Sequence, residues 1–151
     1  MIRLAEEFFD AKNDPEQIAV DEAVMERLQA LDPASLAQEA NEDGPIAWGL
    51  GIPTMEEIMH RFLAGSINER ELLELTSAGR SYEAVYLCSA LVLPEFRKKG
   101  MARKLTVNSI REILARHPVR TLFYWSFSEE GTRLAESVAS AVNLPLLRRK
   151  Q

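Results

Sequence analysis

The sequence is poor in the residues that build metal centres and disulfide frameworks. It has one cysteine and two histidines among its 151 residues. A single cysteine cannot form an internal disulfide, which fits a reducing compartment. The two histidines lie far apart in the sequence and give no metal-ligand spacing. We therefore expect no metal site, and we expect a cytoplasmic location.

Long hydrophobic runs and an excess of positive charge are also missing. The longest apolar runs, Tyr86–Leu93 and Leu122–Phe127, are far too short to span a bilayer. The first residues run into acidic side chains instead of an apolar signal core. A formal net charge of −5 argues against nucleic acid as the main partner, because such binding depends on neutralising phosphates. We expect neither a membrane nor nucleic acid as a partner.

What the sequence does contain is typical of one folded domain spanning residues 1–151. Its hydrophobic fraction is 46% and its charged fraction is 27%, as in ordinary globular proteins. Apolar residues at helical spacing predict helices through the first forty-odd residues, with Asp32-Pro33 starting a shorter one. The segment Asn41-Glu-Asp-Gly-Pro45 predicts a turn.

The next segment, Ile46–Ile52, alternates large and small side chains and predicts a strand. Its small face consists of Ala47, Gly49 and Gly51. Glycine in a strand indicates close approach by another part of the molecule. The face therefore predicts either a closely packed helix or a ligand lying along the strand.

Strands and helices alternate in the remainder of the chain. Pro53-Thr54 is expected to cap a helix that reaches about Leu63, and Asn68–Leu75 predicts another. Further strands are predicted at Tyr82–Leu93, Thr121–Phe127 and Leu144–Arg148, with helices at Met101–Arg116 and Ser128–Val142. This order predicts a right-handed βαβ unit with parallel strands buried on both faces.

The most informative stretch, Arg97-Lys-Lys-Gly-Met-Ala102, lies between a predicted strand and a predicted helix. The first N–H groups of a helix have no intrahelical acceptor, and the helix dipole makes this end positive. Gly100 permits a positive φ or a close backbone approach, and Ala102 leaves the first turn unobstructed. Further positive charge comes from the neighbouring basic residues Arg97, Lys98, Lys99 and Arg103. The stretch predicts a phosphate-binding turn.

The longer segment Val92-Leu-Pro-Glu-Phe-Arg-Lys-Lys-Gly-Met-Ala-Arg-Lys-Leu105 resembles motif A of the GNAT superfamily of N-acetyltransferases. The order of elements from Tyr82 to Val142 is similar to the core of that superfamily. The resemblance implies an α/β fold with a central mixed β-sheet flanked by helices, here with a helical N-terminal segment and an abbreviated C-terminal strand. It also implies acetyl-CoA, or another acyl-CoA, as the donor. The expected activity is acetyl transfer to a primary amine of a small molecule or peptide.

The same resemblance implies a set of residues that bind the donor. The pantetheine arm pairs with the backbone of the strand before the motif, and the pyrophosphate rests on the amides of the turn. The strands at Tyr86–Leu93 and Leu122–Phe127 splay to admit the donor. Polar residues at the start of the next helix contact the arm. The residues implied are Leu91, Val92, Arg97, Lys98, Lys99, Gly100, Met101, Ala102, Ser128 and Thr132.

The catalytic residues are unknown at this point. Many members of the superfamily carry a tyrosine that acts as general acid in the helix after the last long strand, and Gly131–Val138 contains none. The alternative hypothesis is a CoA-binding or interaction protein that does not transfer the acyl group, and a third is a turn that binds another anion or nothing. A short final strand leaves a sheet edge that a second copy would cover, which suggests a homodimer.

Several side chains near the motif have two interpretations. Cys88 is either a small core residue or a thiol at the site. The aromatic residues Tyr86, Tyr124 and Trp125 either belong to the core or line the gap between strands. The acidic residues before the motif strand either make the acceptor site acidic or form a solvated helix face. These are Glu56, Glu57, Glu69, Glu71 and Glu74.

Overall fold

The computed structural model describes residues 22–93, 100–126 and 128–149. The helices in these ranges are α1 (Glu22–Leu31), α2 (Glu56–Leu63), α3 (Glu69–Leu75), α4 (Met101–Arg116) and α5 (Glu129–Val142). The strands are β1 (Leu36–Asn41), β2 (Gly44–Thr54), β3 (Ala84–Val92), β4 (Thr121–Trp125) and β5 (Leu146–Arg149). Across these ranges, every helix is too short or too polar to span a bilayer.

The strands of the described ranges form a five-stranded sheet in the order β1-β2-β3-β4-β5. β1 pairs with β2, and β2 with β3, in antiparallel fashion, whereas β3–β4 and β4–β5 are parallel. The parallel strands are connected through α4 and α5. The predicted mixed α/β fold, with a parallel βαβ unit after Tyr82, is therefore confirmed at this level.

Helices cover both faces of the sheet. The face under α1, α2 and α3 carries a core that includes Leu28, Leu50, Ile52, Phe62, Tyr86 and Phe123. The face under α4 and α5 carries a second core that includes Val85, Ile110, Ile113, Leu122 and Val138. A third, small cluster at the start of α4 contains Ile46, Ala47, Val92 and Leu105. The central strand β3 contributes to all three clusters, as its continuous apolar sequence predicts.

The small face of β2 packs directly against α4. A Cβ atom at Gly49 would lie 3.5 Å from a methyl carbon of Leu105, and one at Gly51 would lie 3.6 Å from Val85. The cavity left between these glycines and α4 is about 10 Å³, which is barely enough for one water. The geometry therefore supports close helix packing, and not a ligand, as the reason for the small residues of β2.

The prediction of a helix after Asp32-Pro33 is wrong, because Leu36–Asn41 is a strand. Alanine, glutamine and glutamate favour a helix by intrinsic propensity. Here the Asp32 carboxylate accepts a hydrogen bond from the Ala34 amide at 2.8 Å and turns the chain. The segment then satisfies its backbone by pairing with β2 across the turn at 41–44. Tertiary pairing has overridden local propensity. Helices predicted before residue 22 lie outside the described residues.

The helices between β2 and β3 were predicted, but one of their caps was not placed correctly. α2 begins at Glu56 with Met55 at its N-cap and no side-chain cap. Thr54 instead belongs to β2, and its Oγ1 lies 2.6 Å from Oγ1 of Thr76, which follows α3. This contact ties the end of α3 to the sheet.

Candidate functional site

The parallel strands β3 and β4 part soon after they begin. They pair at three positions, of which the last joins Tyr86 to Phe123. Beyond this point β3 continues to Val92 beside β2, and β4 continues to Trp125 beside β5. A slot therefore opens between β3 and β4 on the side of their carboxyl ends. Clefts at the carboxyl ends of parallel strands are common ligand sites in α/β proteins.

A β-bulge at Cys88 accompanies the parting of the strands. Leu50 of β2 pairs with Ser89, but the next residue, Gly51, pairs with Leu87, so Cys88 is an extra residue in β3. A bulge bends its strand and increases the local twist. Cys88 packs against the core under α1–α3, as does Trp125 of β4. Cys88 thus lies two residues beyond Tyr86, the last residue of β3 that pairs with β4, at the start of the slot.

The backbone of β3 presents one of its two predicted arm-binding residues to the slot. The Leu93 amide donates to the Ile46 carbonyl of β2 at 2.9 Å, so its polar groups point away from β4. Backbone polar groups alternate in direction along an antiparallel strand. Those of Leu91 therefore also point towards β2, whereas those of Val92 point towards the slot. Leu91 accordingly pairs with Trp48 of β2. Of the two predicted residues, Val92 is therefore the one whose backbone faces β4.

The start of α4 has the geometry of an anion-binding turn. Gly100 is the N-cap residue, with φ 71° and ψ 14° in the left-handed region that favours glycine. The first helical hydrogen bond runs from the Lys104 amide to the Gly100 carbonyl at 3.0 Å. The amides of residues 101–103 precede it and have no intrahelical acceptor. The first turn contains no acidic residue, so the positive helix end is not neutralised from within.

The other predicted residues of the motif have different environments. Met101 and Ala102 are half-buried against the small cluster that contains Val92. The Arg103 Nε donates to Ser137 Oγ of α5 at 2.6 Å, so this guanidinium is directed along α5 and not at the turn. The basic residues Arg97, Lys98 and Lys99 lie outside the described residues.

The two predicted residues of α5 differ in their roles. Ser128 is the N-cap, and its Oγ accepts a hydrogen bond from the Gly131 amide at 3.0 Å. Thr132 Oγ1 lies 2.7 Å from Ser126 Oγ at the end of β4. An open depression of about 440 Å³ is lined by Ser126, Glu129, Thr132, Arg133 and Arg148. Thr132 therefore faces space in which a ligand fits, whereas the Ser128 hydroxyl caps its own helix.

Glu69 is one of the acidic residues for which the sequence left two interpretations open, an acidic acceptor site or a solvated helix face. It is 3% exposed, so the expectation of a solvated face is wrong at this position. The Tyr86 hydroxyl donates to its carboxylate, and the Cys88 thiol does so at 3.7 Å. The available signal was helical spacing, since Glu69 precedes the buried Leu72 and Leu73 by three and four residues.

The aromatic residues beside the slot belong to the core, and β5 adds a buried cation. Tyr86 is fully buried. The Arg149 guanidinium lies 4.0 Å from the centre of the Trp125 ring and 4.6 Å from that of Phe62. Its Nη1 donates to the Ile67 carbonyl at 2.9 Å. Burial, and then the Glu69 charge, raise the pKa of Tyr86 well above its usual value, which Arg149 partly opposes. The phenol therefore keeps its proton at neutral pH.

The fold and the site together define a mixed α/β protein. Two parallel strands, β3 and β4, separate at their carboxyl ends, and the positive N-terminal end of α4 follows β3. No family model, curated protein or solved structure matches the chain. Within the described ranges, no group of three or more His, Cys, Asp or Glu side chains forms a metal site.

Proposed function

We propose that this protein binds acetyl-CoA, or another acyl-CoA, and transfers the acyl group to a primary amine. The observation that carries the proposal is the slot between β3 and β4, together with the helix start to which β3 leads. One strand edge and one helix start then provide neighbouring sites for an extended arm and a pyrophosphate. This is the arrangement that the resemblance of 92–105 to the GNAT superfamily implies.

The parts of an acyl-CoA correspond to parts of the site. The left-handed Gly100 and the amides that follow it suit the pyrophosphate. The edge of β3 beyond its last pair with β4 suits the extended pantetheine arm. The thioester then lies near the bulge at Cys88, where β3 and β4 part. The acyl group would thereby reach the side of the sheet covered by α1–α3.

The proposed chemistry is direct attack of the amine nitrogen on the thioester carbonyl carbon. A C–N bond forms, the C–S bond breaks, and the sulfur leaves as a thiolate. The protein contributes by holding both reactants in one geometry, and by directing backbone N–H groups of β3 at the carbonyl oxygen as it gains charge. A side chain that accepts the amine proton completes this description.

Thermal melting with acetyl-CoA tests the binding half of the proposal. At about 100 times the Kd, binding adds about 2.7 kcal/mol to stability. For a domain of this size that corresponds to a rise in Tm of about 5–10 °C. The variant Gly100→Glu should abolish the rise, because it places bulk and negative charge at the start of α4.

Gly79→Glu is the matched control for this variant. Gly79 also has a positive φ, of 76°, and a Cβ there would meet nothing within 4 Å, as at Gly100. Both variants therefore place a side chain and a negative charge at a residue of positive φ with open space around it. The proposal requires that Gly79→Glu retains the full rise in Tm with acetyl-CoA. If Gly100→Glu retains it as well, the donor binds elsewhere.

A CoA-binding protein that does not transfer the acyl group is the second candidate. The observation in its favour is that α5 contains no tyrosine to protonate the thiolate. The three tyrosines of the chain are Tyr82, Tyr86 and Tyr124. Release of free thiol from acetyl-CoA in the presence of amines separates the candidates, since only the transferase produces it.

A further inference from the structure

The open depression beside the start of α5 has a lining with more positive than negative charge. Its volume is about 440 Å³, and its lining comes from three segments: the end of β4, the first turns of α5, and β5. Two guanidinium groups, one carboxylate and two hydroxyl groups face it. They belong to Arg133, Arg148, Glu129, Ser126 and Thr132. Two arginines that converge on one open space suit an anionic ligand group.

The depression lies on the face of the sheet that α4 and α5 cover. Arg149, which follows Arg148 in β5, stacks on Trp125 and Phe62 on the opposite face, under α1–α3. Successive side chains of a strand point to opposite faces, so Arg148 is directed to the face of α5. In the proposed function the phosphates of the donor lie on the α4 side and the acyl group reaches the α1–α3 side. The depression is therefore on the phosphate side of the molecule.

The depression is also close to the start of α4, where the pyrophosphate is proposed to bind. Arg103 Nε, in the first turn of α4, donates to Ser137 Oγ of α5 at 2.6 Å. Arg133 precedes Ser137 by four residues, so both lie on one face of α5, about 5.4 Å apart along the helix. One turn of α5 thus separates Arg133 from a side chain that touches the first turn of α4. A ligand at the α4 amides needs only a short extension to reach Arg133.

Both arginines of the depression are exposed to solvent. Within the described ranges, the ion pairs are formed at Asp32 and Glu56, and neither Arg133 nor Arg148 takes part in one. Glu129 lies one turn before Arg133 on α5 and opposes an anion in the same space. An arginine that is not held by a carboxylate of its own chain can turn towards a ligand, and its planar group can bind two phosphate oxygens at once.

We propose that Arg133 and Arg148 bind the 3′-phosphate of CoA. The inference rests on the proposed acyl-CoA binding and assigns the contact that distinguishes CoA from dephospho-CoA. CoA carries a pyrophosphate and, across one ribose, a phosphate monoester. The amides at the start of α4 suit the pyrophosphate, and the two guanidinium groups suit the monoester. Because the depression is open, the monoester keeps part of its hydration and the arginines contribute charge.

The test compares acetyl-CoA with acetyl-3′-dephospho-CoA, which lacks only this phosphate. Isothermal titration calorimetry gives the Kd of each donor for the full chain. We expect wild type to bind acetyl-CoA about tenfold more tightly, because charge-assisted hydrogen bonds are lost with the phosphate. Arg133→Gln and Arg148→Gln should each weaken acetyl-CoA binding by about threefold or more, as expected for solvent-exposed charge contacts. Neither variant should change the Kd of the dephospho analogue.

Two further variants provide a control and an effect of opposite sign. Arg111→Gln removes an exposed arginine of α4 that does not line the depression, and should change neither Kd. Glu129→Gln removes the carboxylate that opposes the anion, and should tighten acetyl-CoA binding alone by about twofold. Higher NaCl concentrations should reduce the preference for acetyl-CoA, because salt screens exposed charges.

The outcomes separate this inference from the proposed function. A preference for acetyl-CoA that both arginine variants retain in full would place the 3′-phosphate elsewhere and leave acyl-CoA binding intact. Equal Kd values for the two donors in wild type would also overturn the inference. Equal losses for both donors in the variants would mean that the arginines do not recognise this phosphate. If neither donor binds to wild type, the proposed function is refuted, and the inference with it.

Discussion

Two carboxylates of the described residues are equally buried but have very different partners. Asp32 is 2% exposed and Glu69 is 3% exposed. Asp32 accepts hydrogen bonds from Arg116 at 2.6 and 2.9 Å, and His117 Nε2 lies 3.2 Å away. Glu69 accepts hydrogen bonds from a phenol and a thiol. Asp32 pairs with a cation of α4 and joins two chain segments, whereas Glu69 accepts hydrogen bonds from two side chains of β3 beside the slot.

The ionisation of the two regions follows from these partners. Burial opposes the charge of Asp32, but the hydrogen bonds from Arg116 and the Ala34 amide outweigh it, so the pKa of Asp32 is lowered overall. At the other site, burial and the Glu69 charge raise the pKa of Tyr86. Asp32 is thus fixed in its charged form. Tyr86 beside Glu69 is fixed in its neutral form.

The largest stability effect is expected at the cation that pairs with Asp32. Arg116→Ala leaves a buried carboxylate without its bidentate partner, which costs about 3–5 kcal/mol for a fully buried pair. The Arg116 side chain is 42% exposed, so water partly replaces it and we expect about 2 kcal/mol. Urea denaturation at neutral pH measures this loss.

Arg120→Ala is the control for this substitution. Arg120 pairs with Glu56 at 2.6 Å, but its side chain is 66% exposed. Exposed pairs contribute little to stability, because water screens them. If Arg116→Ala lowers the unfolding free energy no more than Arg120→Ala does, the pair of Asp32 with Arg116 does not stabilise the fold in this way.

The pH dependence of the unfolding free energy tests whether Asp32 stabilises the fold through its charge. The unfolded carboxyl titrates near 3.8, and the folded one titrates lower. The contribution of Asp32 to stability is therefore complete above about pH 5, and is lost as the pH falls through 3.8 towards the folded pKa. The difference in unfolding free energy between wild type and Asp32→Asn should shrink over that range. A difference that stays constant down to pH 3 would contradict it.

A smaller stability effect is expected at Glu69. In Glu69→Gln the amide oxygen can still accept the Tyr86 hydroxyl. We expect a loss of about 1 kcal/mol or less by urea denaturation, about the value of one neutral hydrogen bond. A loss equal to that of Asp32→Asn would mean that Glu69 is also a structural anchor.

The sequence predicts the α4–α5 side of the molecule better than the α1–α3 side. The helix Met101–Arg116 and the Ser128 cap of α5 were predicted correctly, because apolar spacing and cap residues act locally there. β1 was missed, because Leu36–Asn41 is a strand only through pairing with β2. Its alanine and glutamine residues favour a helix in isolation.

The two ends of the candidate site also differ in how far the local sequence predicts them. The left-handed Gly100 follows from local sequence, since a glycine just before a helix readily adopts that conformation. Glu69 and Arg149 approach the slot from separate segments, α3 and β5, and no local pattern relates them. Their burial depends on the sheet order, which brings both segments over Phe62 and Tyr86.

The most direct test of the account uses the single cysteine of the chain as a reporter of the slot. Cys88 is half-buried at the bulge where β3 and β4 part. The rate of its alkylation by iodoacetamide should fall several-fold or more when acetyl-CoA is bound. ADP, which has the pyrophosphate but no pantetheine arm, should leave the rate unchanged. If acetyl-CoA raises the Tm while Cys88 is alkylated at its original rate, the donor does not lie in the slot and the central claim is wrong.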